Sequence, residues 1–453
     1  MLVRLIDSMS TTEPLAEVFS DDSVLRAMLD FEAALARAEA KFKVIPARAA
    51  RAIAQAAHPE DFDVAALARE TLRAGTPGIP LVKALRQKVA ERDSAAADFV
   101  HWGATSQDVA DTALVLLLRK AAAFMNADLS RLQSALLRLA RQHKNTVMLG
   151  RTLLQPAPPV TFGLKAAGWL GSVRRGHARF NHALSEASVL QLGGASGTLA
   201  ALGNRGIEIG QEVAKRLGLS YPDAPWHSHR DRLANVVCAC GILTGSLGKM
   251  ARDISLLMQS EVGEGAEHGG SGRGGSSTMP QKRNPIGSTL ALAAANRVPG
   301  LTAAFLSQMV QEHERAAGGW QAEWATIADL VQSTGVAVAS MAEAAEGLTV
   351  NEKRMRANIK SRRGTVFAEK ATLLLSRKIG REAAHRLLEQ ATDPAQEWDG
   401  TLTELLQEMP DVRDLLDKEV LRKLEDSEDY LGVAREFADR LSGSGPNRPR
   451  GKK

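Results

Sequence analysis

Residues 107–143 read QDVADTALVLLLRKAAAFMNADLSRLQSALLRLARQH, a stretch without proline or glycine. Within it, Leu129, Leu132, Leu136 and Leu139 follow one another at intervals of three and four residues. This spacing places the leucines on one face of an α-helix and is typical of helices packed nearly parallel. The stretch therefore predicts a long core helix and indicates an all-α fold.

Four more segments share this composition, which is rich in Ala and Leu. Five helices of about 25 to 37 residues would far exceed the usual mean of about 12. Such lengths predict an elongated bundle whose apolar seams are buried against other subunits. Strand-like alternation is rare, and only a short hairpin near 148–160 is expected. The four segments cover residues 160–190, 230–262, 285–316 and 320–347, and Pro299 is an expected kink in the third of them.

Breaks in the pattern divide the chain into three helical domains and a tail. A small helical domain is predicted for residues 1–105, a central long-helix bundle for 106–350, and a second small helical domain for 351–441. Residues 442–453 read SGSGPNRPRGKK. This composition predicts a disordered basic tail.

Composition excludes several classes of function. The 453-residue chain is 44% hydrophobic and 24% charged, which is ordinary for a soluble globular protein. Four positive charges in its net charge of +5 come from the last six residues. The sequence has no basic stripe interleaved with aromatic residues, so a nucleic-acid partner is not expected. No signal peptide or apolar run of about 18 residues is evident, so a cytoplasmic protein outside the membrane is expected. Cys238 and Cys240 are expected to be small buried residues.

A second decisive stretch is the loop at 268–285, HGGSGRGGSSTMPQKRNP. Five of the eight residues from Gly269 to Ser276 are glycine, which predicts a mobile lid. Such a loop can wrap its N–H groups around an anion. Asn284-Pro285 is typical of a helix N-terminus, which also favours negative charge. A flexible linker would explain the glycines but not the segment that follows them.

Four polar clusters interrupt the Ala/Leu-rich chain elsewhere. In the cluster at 101–108, Thr105 or Ser106 could be no more than a helix N-cap. The cluster at 311–315 could be a solvated, charged helix end, and this alternative remains open. His227 and His229 could suggest a metal, but no third ligand has suitable spacing, so neither a metal nor another cofactor is expected. The clusters are HWGATSQD at 101–108, GRTLLQPA at 150–157, WHSHRDR at 226–232 and QEHER at 311–315.

Together these motifs resemble the fumarase/aspartase/argininosuccinate lyase superfamily. Its hallmark, Gly-Ser-Ser-x-Met-Pro-x-Lys-x-Asn-Pro, is similar to residues 275–285 without a gap, and residues 101–108 and 150–157 resemble two further regions. The resemblance implies an all-α, three-domain fold in which five long helices form the core of a homotetramer. It also implies active sites shared by three subunits.

Within the superfamily, the chain is most similar to the ring-closing cycloisomerases. This resemblance implies that a carboxylate of the substrate adds across a conjugated double bond to form a lactone. Leu153 stands where superfamily lyases carry a histidine, and residues 75–80 also lack one, which argues against a fumarate-releasing lyase such as adenylosuccinate lyase. The substrate could instead carry a sulfonate, or the chain could be a non-catalytic structural relative. The similar segments are residues 29–39, 79–85, 193–197, 225–232 and 311–315.

The resemblance also implies roles for individual residues, with a small tricarboxylate or a sulfonated dicarboxylate as substrate. Ser276 is the expected proton carrier, and His313 is its rival. Lys282 and Asn284 are expected to hold the negative charge that develops on the substrate. Arg230 and Arg315 would pair with its other carboxylates. Hydrogen bonds to the substrate are expected from His101, Thr105, Ser106, Thr152, Gln155 and Ser277.

Overall fold

The computed structural model describes residues 4–268, 274–275, 278–279, 281–392 and 400–443. The all-α prediction is confirmed, and the five long helices are present. The expected hairpin is also present, with strands β1 and β2 joined by a two-residue turn. Its strands, together with the short pair β3 and β4, are Val147–Thr152, Gln155–Thr161, Gly265–Ala266 and Thr349–Val350.

The five long helices, labelled α6, α7, α9, α10 and α11, contain 37, 26, 27, 22 and 28 residues respectively. Helix α10 contains Pro299, as expected, but ends at Ser307. The prediction that it continues to residue 316 was therefore wrong, and residues 308–318 form a loop. The bounds of the five are Ser106–Gln142, Phe162–Ala187, Asp231–Leu257, Ile286–Ser307 and Gly319–Glu346.

Short helices make up the rest of the fold. Before α6 lie α1 to α5: Glu13–Val18, Asp21–Lys41, Ala47–Ala56, Val64–Ala74 and Gly78–Arg92. Helix α8 covers Gly206–Leu217. After α11 lie α12 to α18: Glu352–Lys360, Ala368–Ile379, Arg381–Thr392, Leu402–Glu408, Pro410–Arg413, Lys418–Arg422 and Ala434–Ser442. Ser442 is therefore helical, and residues 444–453 of the predicted tail lie outside the described part of the chain.

The chain forms two compact units, and each long helix contributes residues to both. The first unit contains residues 1–130, 175–249 and 289–341; the second contains residues 131–174, 250–288 and 342–453. The three-domain division expected from the sequence remains a prediction.

The first unit has a core of Ala, Leu and Val side chains with few aromatics. Helices α9 and α10 approach closely at two glycines of α9. A Cβ built at Gly248 would lie 2.6 Å from that of Ala295, and one at Gly241 would lie 3.0 Å from the Thr302 hydroxyl. At Gly245, by contrast, the described residues leave open space within 4 Å of such an atom. Small residues at 241 and 248 therefore let the two helices pack tightly.

The second unit has its own core, in which hairpin residues Val147 and Leu149 pack with side chains of the C-terminal helices. Arg151 extends from β1 and makes a two-bond ion pair with the buried Glu264 at 2.7 and 2.8 Å. Asn358 donates to the same carboxylate over 2.7 Å. These bonds fix the end of the hairpin next to its turn, so the turn is held in a defined position within this unit.

Helices α9 and α10 are long and apolar enough to cross a membrane by length and composition alone. Within the most apolar part of α9, 61% of the residues are buried, as in a core helix of a soluble protein. In α10 the share is only 22%. Helix α10 therefore presents apolar surface that the described part of a single chain does not cover.

Candidate active site

The start of α6 is organised by a buried carboxylate. Asp108 accepts a 3.0 Å hydrogen bond from the backbone N–H of Thr105, the residue before the helix. This bond is one half of a capping box. The Thr105 hydroxyl instead accepts a 2.7 Å bond from Arg315. Thr105 therefore does more than cap the helix.

Asp108 also binds two other loops, although its side chain is completely buried. The N–H groups of Gly193 and Gly194 donate to it over 3.0 and 2.9 Å, and the Gln191 amide donates over 3.2 Å. His227 Nε2 donates over 2.7 Å, which requires this nitrogen to carry a proton. One carboxylate thus accepts five hydrogen bonds and holds three segments of the first unit together.

Arg315 is a cation held by neutral acceptors. Besides the Thr105 hydroxyl, it donates to the carbonyl oxygens of Gly194 and Ala195 over 3.0 and 2.7 Å. Its Nε is buried and has no acceptor among the described residues. No carboxylate in the described part of the chain forms an ion pair with it. The guanidinium therefore has its charge available for an anionic ligand.

Arg230 has a different environment from the one predicted. Its side chain is fully buried between Asp111 and Glu323, with contacts of 2.7 and 2.6 Å. All five N–H groups point to protein acceptors, the last being the His227 carbonyl at 3.4 Å. Burial raises the pKa of Glu323, and the Arg230 charge opposes that shift. The prediction that Arg230 binds a substrate carboxylate is wrong for this structure, because no donor remains.

The ion pairs of Arg230 instead anchor the 308–318 loop. Gln311 in this loop donates to Glu323 over 2.8 Å, and Trp320 just after the loop donates to Asp111 over 3.0 Å. The loop is therefore tied to the Arg230 cluster through Gln311 and, just past its end, through Trp320, and it is tied to Thr105 through Arg315. Arg230 therefore binds the two carboxylates to which Gln311 and Trp320 are also bonded.

His101 belongs to a buried acidic cluster. Its Nδ1 lies 2.6 Å from Oε1 of Glu32 on α2. Burial lowers the pKa of His101, but the charge and hydrogen bond of Glu32, with a contribution from Asp108, bring it above its ordinary value. Glu39 lies further along α2, with both carboxylate oxygens buried and unpartnered among the described residues. Burial, and then the charge of Glu32, raise the pKa of Glu39 to about 9, so this side chain is neutral at pH 7.

A cavity of about 450 Å³ adjoins His101 and Ser106. Two cations of α5 line it. Lys83 forms no ion pair with a described carboxylate, whereas Arg86 contacts the exposed Asp98 at 3.2 Å. This cavity is accordingly suited to a negatively charged group. Its lining consists of Gly78, Ile79, Val82, Lys83, Arg86, Gln87, His101 and Ser106.

In the second unit, the hairpin turn carries the predicted Thr152 and Gln155. These two residues pair across the hairpin and are both exposed. Between them, Leu153 and Leu154 have φ values of 49° and 66°, and their exposed fractions are 96% and 78%. Two positive φ values are the signature of a type I′ turn, which normally uses Asn and Gly. Leucine is therefore strained at both positions.

The segment before α10 departs from the expected anion cradle. Asn284 donates its backbone N–H to the Gly274 carbonyl over 2.9 Å and lies two residues before the helix. Glu267 accepts 2.9 Å bonds from the backbone N–H groups of Gly287 and Ser288, and a 2.6 Å bond from the Ser288 hydroxyl. The prediction that Asn284 is the N-cap and Pro285 the first helical residue is wrong, because the helix begins at Ile286. The Glu267 carboxylate already accepts from N–H groups of its first turn.

The remaining candidates differ in how far the structure locates them. His313 is exposed in the 308–318 loop, with a φ of 49°. Lys282 is exposed in the segment before α10. Ser276 and Ser277 lie outside the described residues, as does most of the glycine-rich stretch predicted to form a lid. Within the first unit, the structure brings together Thr105 and Arg315.

Three charged residues near the candidate residues were not identified from the sequence. Asp108 ends the 101–108 motif, so the motif itself contained the signal. Glu32 and Glu39 fall at helical spacing from Leu25, Met28 and Leu35 on the apolar face of α2. A carboxylate on an apolar face has to find a partner or keep its proton, and this rule would have identified both glutamates.

Comparisons with known proteins agree with these motifs. A lyase family model matches residues 8–300, and a model of the adenylosuccinate lyase C-terminus matches residues 364–441. The chain is 46% identical over 440 residues to a 3-carboxy-cis,cis-muconate cycloisomerase of Bradyrhizobium diazoefficiens, covering 97% of this chain and 98% of that protein. It is 41% identical over 452 residues to a nitrosuccinate lyase of Streptomyces davaonensis, covering 98% and 95%. The crystal structure of 3-carboxy-cis,cis-muconate lactonizing enzyme from Pseudomonas putida is 43% identical, with a TM-score of 0.90 over 98% of this chain and 99% of that one.

Proposed function

The chain belongs to the lyase family of the fumarase/aspartase/argininosuccinate lyase superfamily, and we propose that it is a cycloisomerase that converts 3-carboxy-cis,cis-muconate to 4-carboxymuconolactone. Such a reaction belongs to aromatic breakdown through protocatechuate. The observation that carries the proposal is the Arg315 guanidinium, which neutral acceptors orient and no described carboxylate neutralises. An anionic substrate would supply the missing partner.

The proposed reaction needs no external nucleophile or cofactor. A carboxylate oxygen of the substrate attacks an alkene carbon and forms the C–O bond of the lactone. The displaced electron pair moves onto a conjugated carboxylate, and a proton is then delivered to the carbon between them. Stabilising this charge requires hydrogen-bond donors aimed at the carboxylate, and each well-placed donor is worth roughly 3 kcal/mol at the transition state.

The residues of the first unit are suited to binding the substrate before the ring closes. Arg315 and a cationic His101 would hold substrate carboxylates, and Thr105 and Ser106 would donate hydrogen bonds to them. Lys83 adds a charge beside His101 and Ser106, where the carboxylate at position 3 would lie. Holding the substrate curled brings the attacking oxygen close to its target carbon.

For the developing charge and the proton, the proposal relies on the family motif. Lys282 and Asn284 would stabilise the aci-carboxylate, and Thr152, Gln155 and Ser277 would bind the substrate. Ser276 would deliver the proton, because it occupies the position of the superfamily's catalytic serine. Its hydroxyl is a weak acid, so nearby cations or N–H donors have to lower its pKa.

His313 is the rival proton donor, and two variants separate it from Ser276. We expect Ser276→Ala to lose at least about a hundredfold in kcat, the usual contribution of an acid/base group, and His313→Gln to lose much less. Circular dichroism of both variants checks folding. Near-full lactone formation by Ser276→Ala would transfer the role to His313.

We also propose that the enzyme is a cytoplasmic homotetramer in which three subunits build each active site. The apolar surface of α10 and the open position at Gly245 support burial against other copies. Size-exclusion chromatography with light scattering, at micromolar protein concentration, should give four times the mass of 48.5 kDa. A monomer at micromolar concentration would contradict this part of the proposal.

The test of the function is to follow loss of diene absorbance with purified protein and 3-carboxy-cis,cis-muconate, and then with the 3-sulfo analogue. The competing function is elimination from a substituted succinate, which is favoured by the 41% identity to a nitrosuccinate lyase. Leu153 argues against it, because a lyase of this superfamily would use histidine at that position. Release of fumarate from nitrosuccinate, adenylosuccinate or argininosuccinate without lactone formation would overturn the cycloisomerase proposal.

A further inference from the structure

Asp108 is bonded to two of the residues that hold the Arg315 guanidinium, namely Thr105 and Gly194. One of its oxygens accepts from the Thr105 N–H over 3.0 Å and from the Gly194 N–H over 2.9 Å. The Thr105 hydroxyl and the Gly194 carbonyl are in turn two of the three acceptors of Arg315. Each path from Asp108 to the guanidinium therefore passes through a single residue.

We propose that Asp108 is a positioning residue that fixes the Arg315 guanidinium through Thr105 and Gly194. The inference rests on the proposed function, in which Arg315 binds a substrate carboxylate. A carboxylate placed directly on Arg315 would orient it equally well, but it would neutralise the charge and compete with the substrate. Acting through neutral acceptors, Asp108 orients the guanidinium and leaves its charge to the ligand.

An ionised aspartate is suited to this place because it accepts hydrogen bonds at both oxygens. Its five donors are Thr105, Gln191, Gly193, Gly194 and His227. In Asp108→Asn one oxygen becomes an NH₂ group, which would face N–H groups that are themselves donors. Either the Thr105 and Gly194 peptides or the Gln191, Gly193 and His227 groups would lose their acceptor. In the second case Thr105 and Gly194 still donate to a neutral amide oxygen instead of a carboxylate, which weakens both bonds. The segments that hold Arg315 should therefore loosen in either orientation, without any change to Arg315 itself.

A double-mutant cycle distinguishes positioning from general support of the fold. We expect Asp108→Asn to lower kcat/KM for 3-carboxy-cis,cis-muconate by about 30-fold, mainly through a higher KM, because binding geometry is lost. In an Arg315→Met background the same change should cost less than about threefold, since the residue it positions is gone. An equal loss in both backgrounds would overturn the inference.

Thr112→Val is the matched control. Thr112 lies one turn along the same helix and exchanges hydrogen bonds with the Gln191 backbone over 2.9 and 3.1 Å, in the loop that Asp108 also holds. It has no direct bond to Thr105 or Gly194. Its removal should lower the melting temperature and change kcat/KM by the same small factor in both backgrounds.

A second variant covers the case in which Asp108→Asn does not fold. Gly194 has a φ of 68°, and a Cβ there would lie 2.7 Å from the Gly103 carbonyl oxygen. Gly194→Ala should therefore shift the peptide that links Asp108 to Arg315 while leaving the buried charge in place. We expect the same non-additivity with Arg315→Met, and simple multiplication of the two losses would count against the inference.

The cycle can also be measured without turnover, as the affinity for citrate, a tricarboxylate probe, by calorimetry. If the wild-type protein forms no lactone, the proposed function fails, but the citrate cycle still tests Asp108. If Arg315→Met keeps full activity and affinity, Arg315 is not the anion ligand and the inference falls with that assignment. If Arg315→Met is impaired and the Asp108→Asn effect is undiminished in its background, the inference alone is overturned.

Discussion

His101 Nδ1 and Glu32 Oε1 lie 2.6 Å apart. Glu32 is on the core-facing side of α2, and its other carboxylate oxygen, Oε2, has no hydrogen-bond partner among the described residues. The carboxylate stabilises the cationic form of the imidazole, so the pKa of His101 is above its ordinary value despite burial. The His101–Glu32 pair therefore stabilises the folded protein at low pH, and this stabilisation is lost as the pH rises through the raised pKa of His101. In the proposed enzyme, the pair keeps His101 positively charged for a substrate carboxylate.

The first prediction concerns this pair. Glu32→Gln should lower the pKa of His101 and move the alkaline limb of the pH profile of kcat/KM to lower pH. The loss of kcat/KM should be larger at pH 8 than at pH 6, because a larger share of His101 is neutral at the higher pH once Glu32 no longer stabilises its charge. His101→Gln should abolish that limb. Equal losses at pH 6 and pH 8 in Glu32→Gln would contradict a charge-stabilising role.

The second prediction concerns Glu39, whose carboxyl is buried without a described partner and has its pKa raised to about 9. In the unfolded chain this group ionises near 4.5, so the unfolded state loses its proton first. Stability should therefore fall as the pH rises from about 4.5 towards 9. Each pH unit corresponds to about 1.4 kcal/mol at most.

Glu39→Gln removes this titration, so its melting temperature should rise relative to that of the parent protein as the pH increases from 5 to 8. Differential scanning fluorimetry at several pH values measures the effect. Glu17 on the neighbouring helix α1, which is exposed, is replaced by glutamine as the control. If the melting temperatures of Glu39→Gln and the parent protein changed in parallel between pH 5 and pH 8, Glu39 would already be ionised at neutral pH.

The third prediction concerns specificity at the cavity beside His101 and Ser106. Lys83→Met should lower kcat/KM for 3-carboxy-cis,cis-muconate by about tenfold or more, because the cation opposite the 3-carboxylate is removed. For cis,cis-muconate, which lacks that group, the change should be less than threefold. Lys88→Met on the same helix is the control, since Lys88 contacts Glu91 at 3.6 Å and does not line the cavity. An equal loss for both substrates would show that Lys83 does not read position 3.

The sequence predicted the long helices well because their apolar periodicity and lack of breaks are local properties. It failed at residues 308–318, where helix-forming residues continue but long-range bonds decide the structure. Gln311 is held by Glu323, and Arg315 by Thr105, a residue 210 positions away. Local propensity is a weak guide when such bonds compete with it.

Arg230 was misplaced for the same reason. It occurs in a polar cluster, which suggests an exposed binding residue, but its partners Asp111 and Glu323 are 119 and 93 residues away in sequence. No local pattern indicates which of several arginines will be neutralised by distant carboxylates. Arg315 was proposed as a candidate cation from its motif, yet only the structure shows that its described acceptors are neutral.

The last prediction concerns the hairpin turn at Leu153 and Leu154. Both residues have positive φ, which costs leucine about 1 to 2 kcal/mol at each position. Asn-Gly fits such a turn without strain, so Leu153→Asn combined with Leu154→Gly should keep or raise the melting temperature. If the exposed leucines were only tolerated, activity would be unaffected.

We expect instead that the double variant loses at least about tenfold in kcat/KM. Strain of this kind persists where a particular side chain is needed, and Leu153 occupies the position at which lyases of the superfamily place a histidine. Thr152 and Gln155, which flank the turn and are proposed to bind substrate, are unchanged in the variant, so a loss would come from the leucines. A more stable variant with full lactone formation would show that the turn is strained without benefit to catalysis.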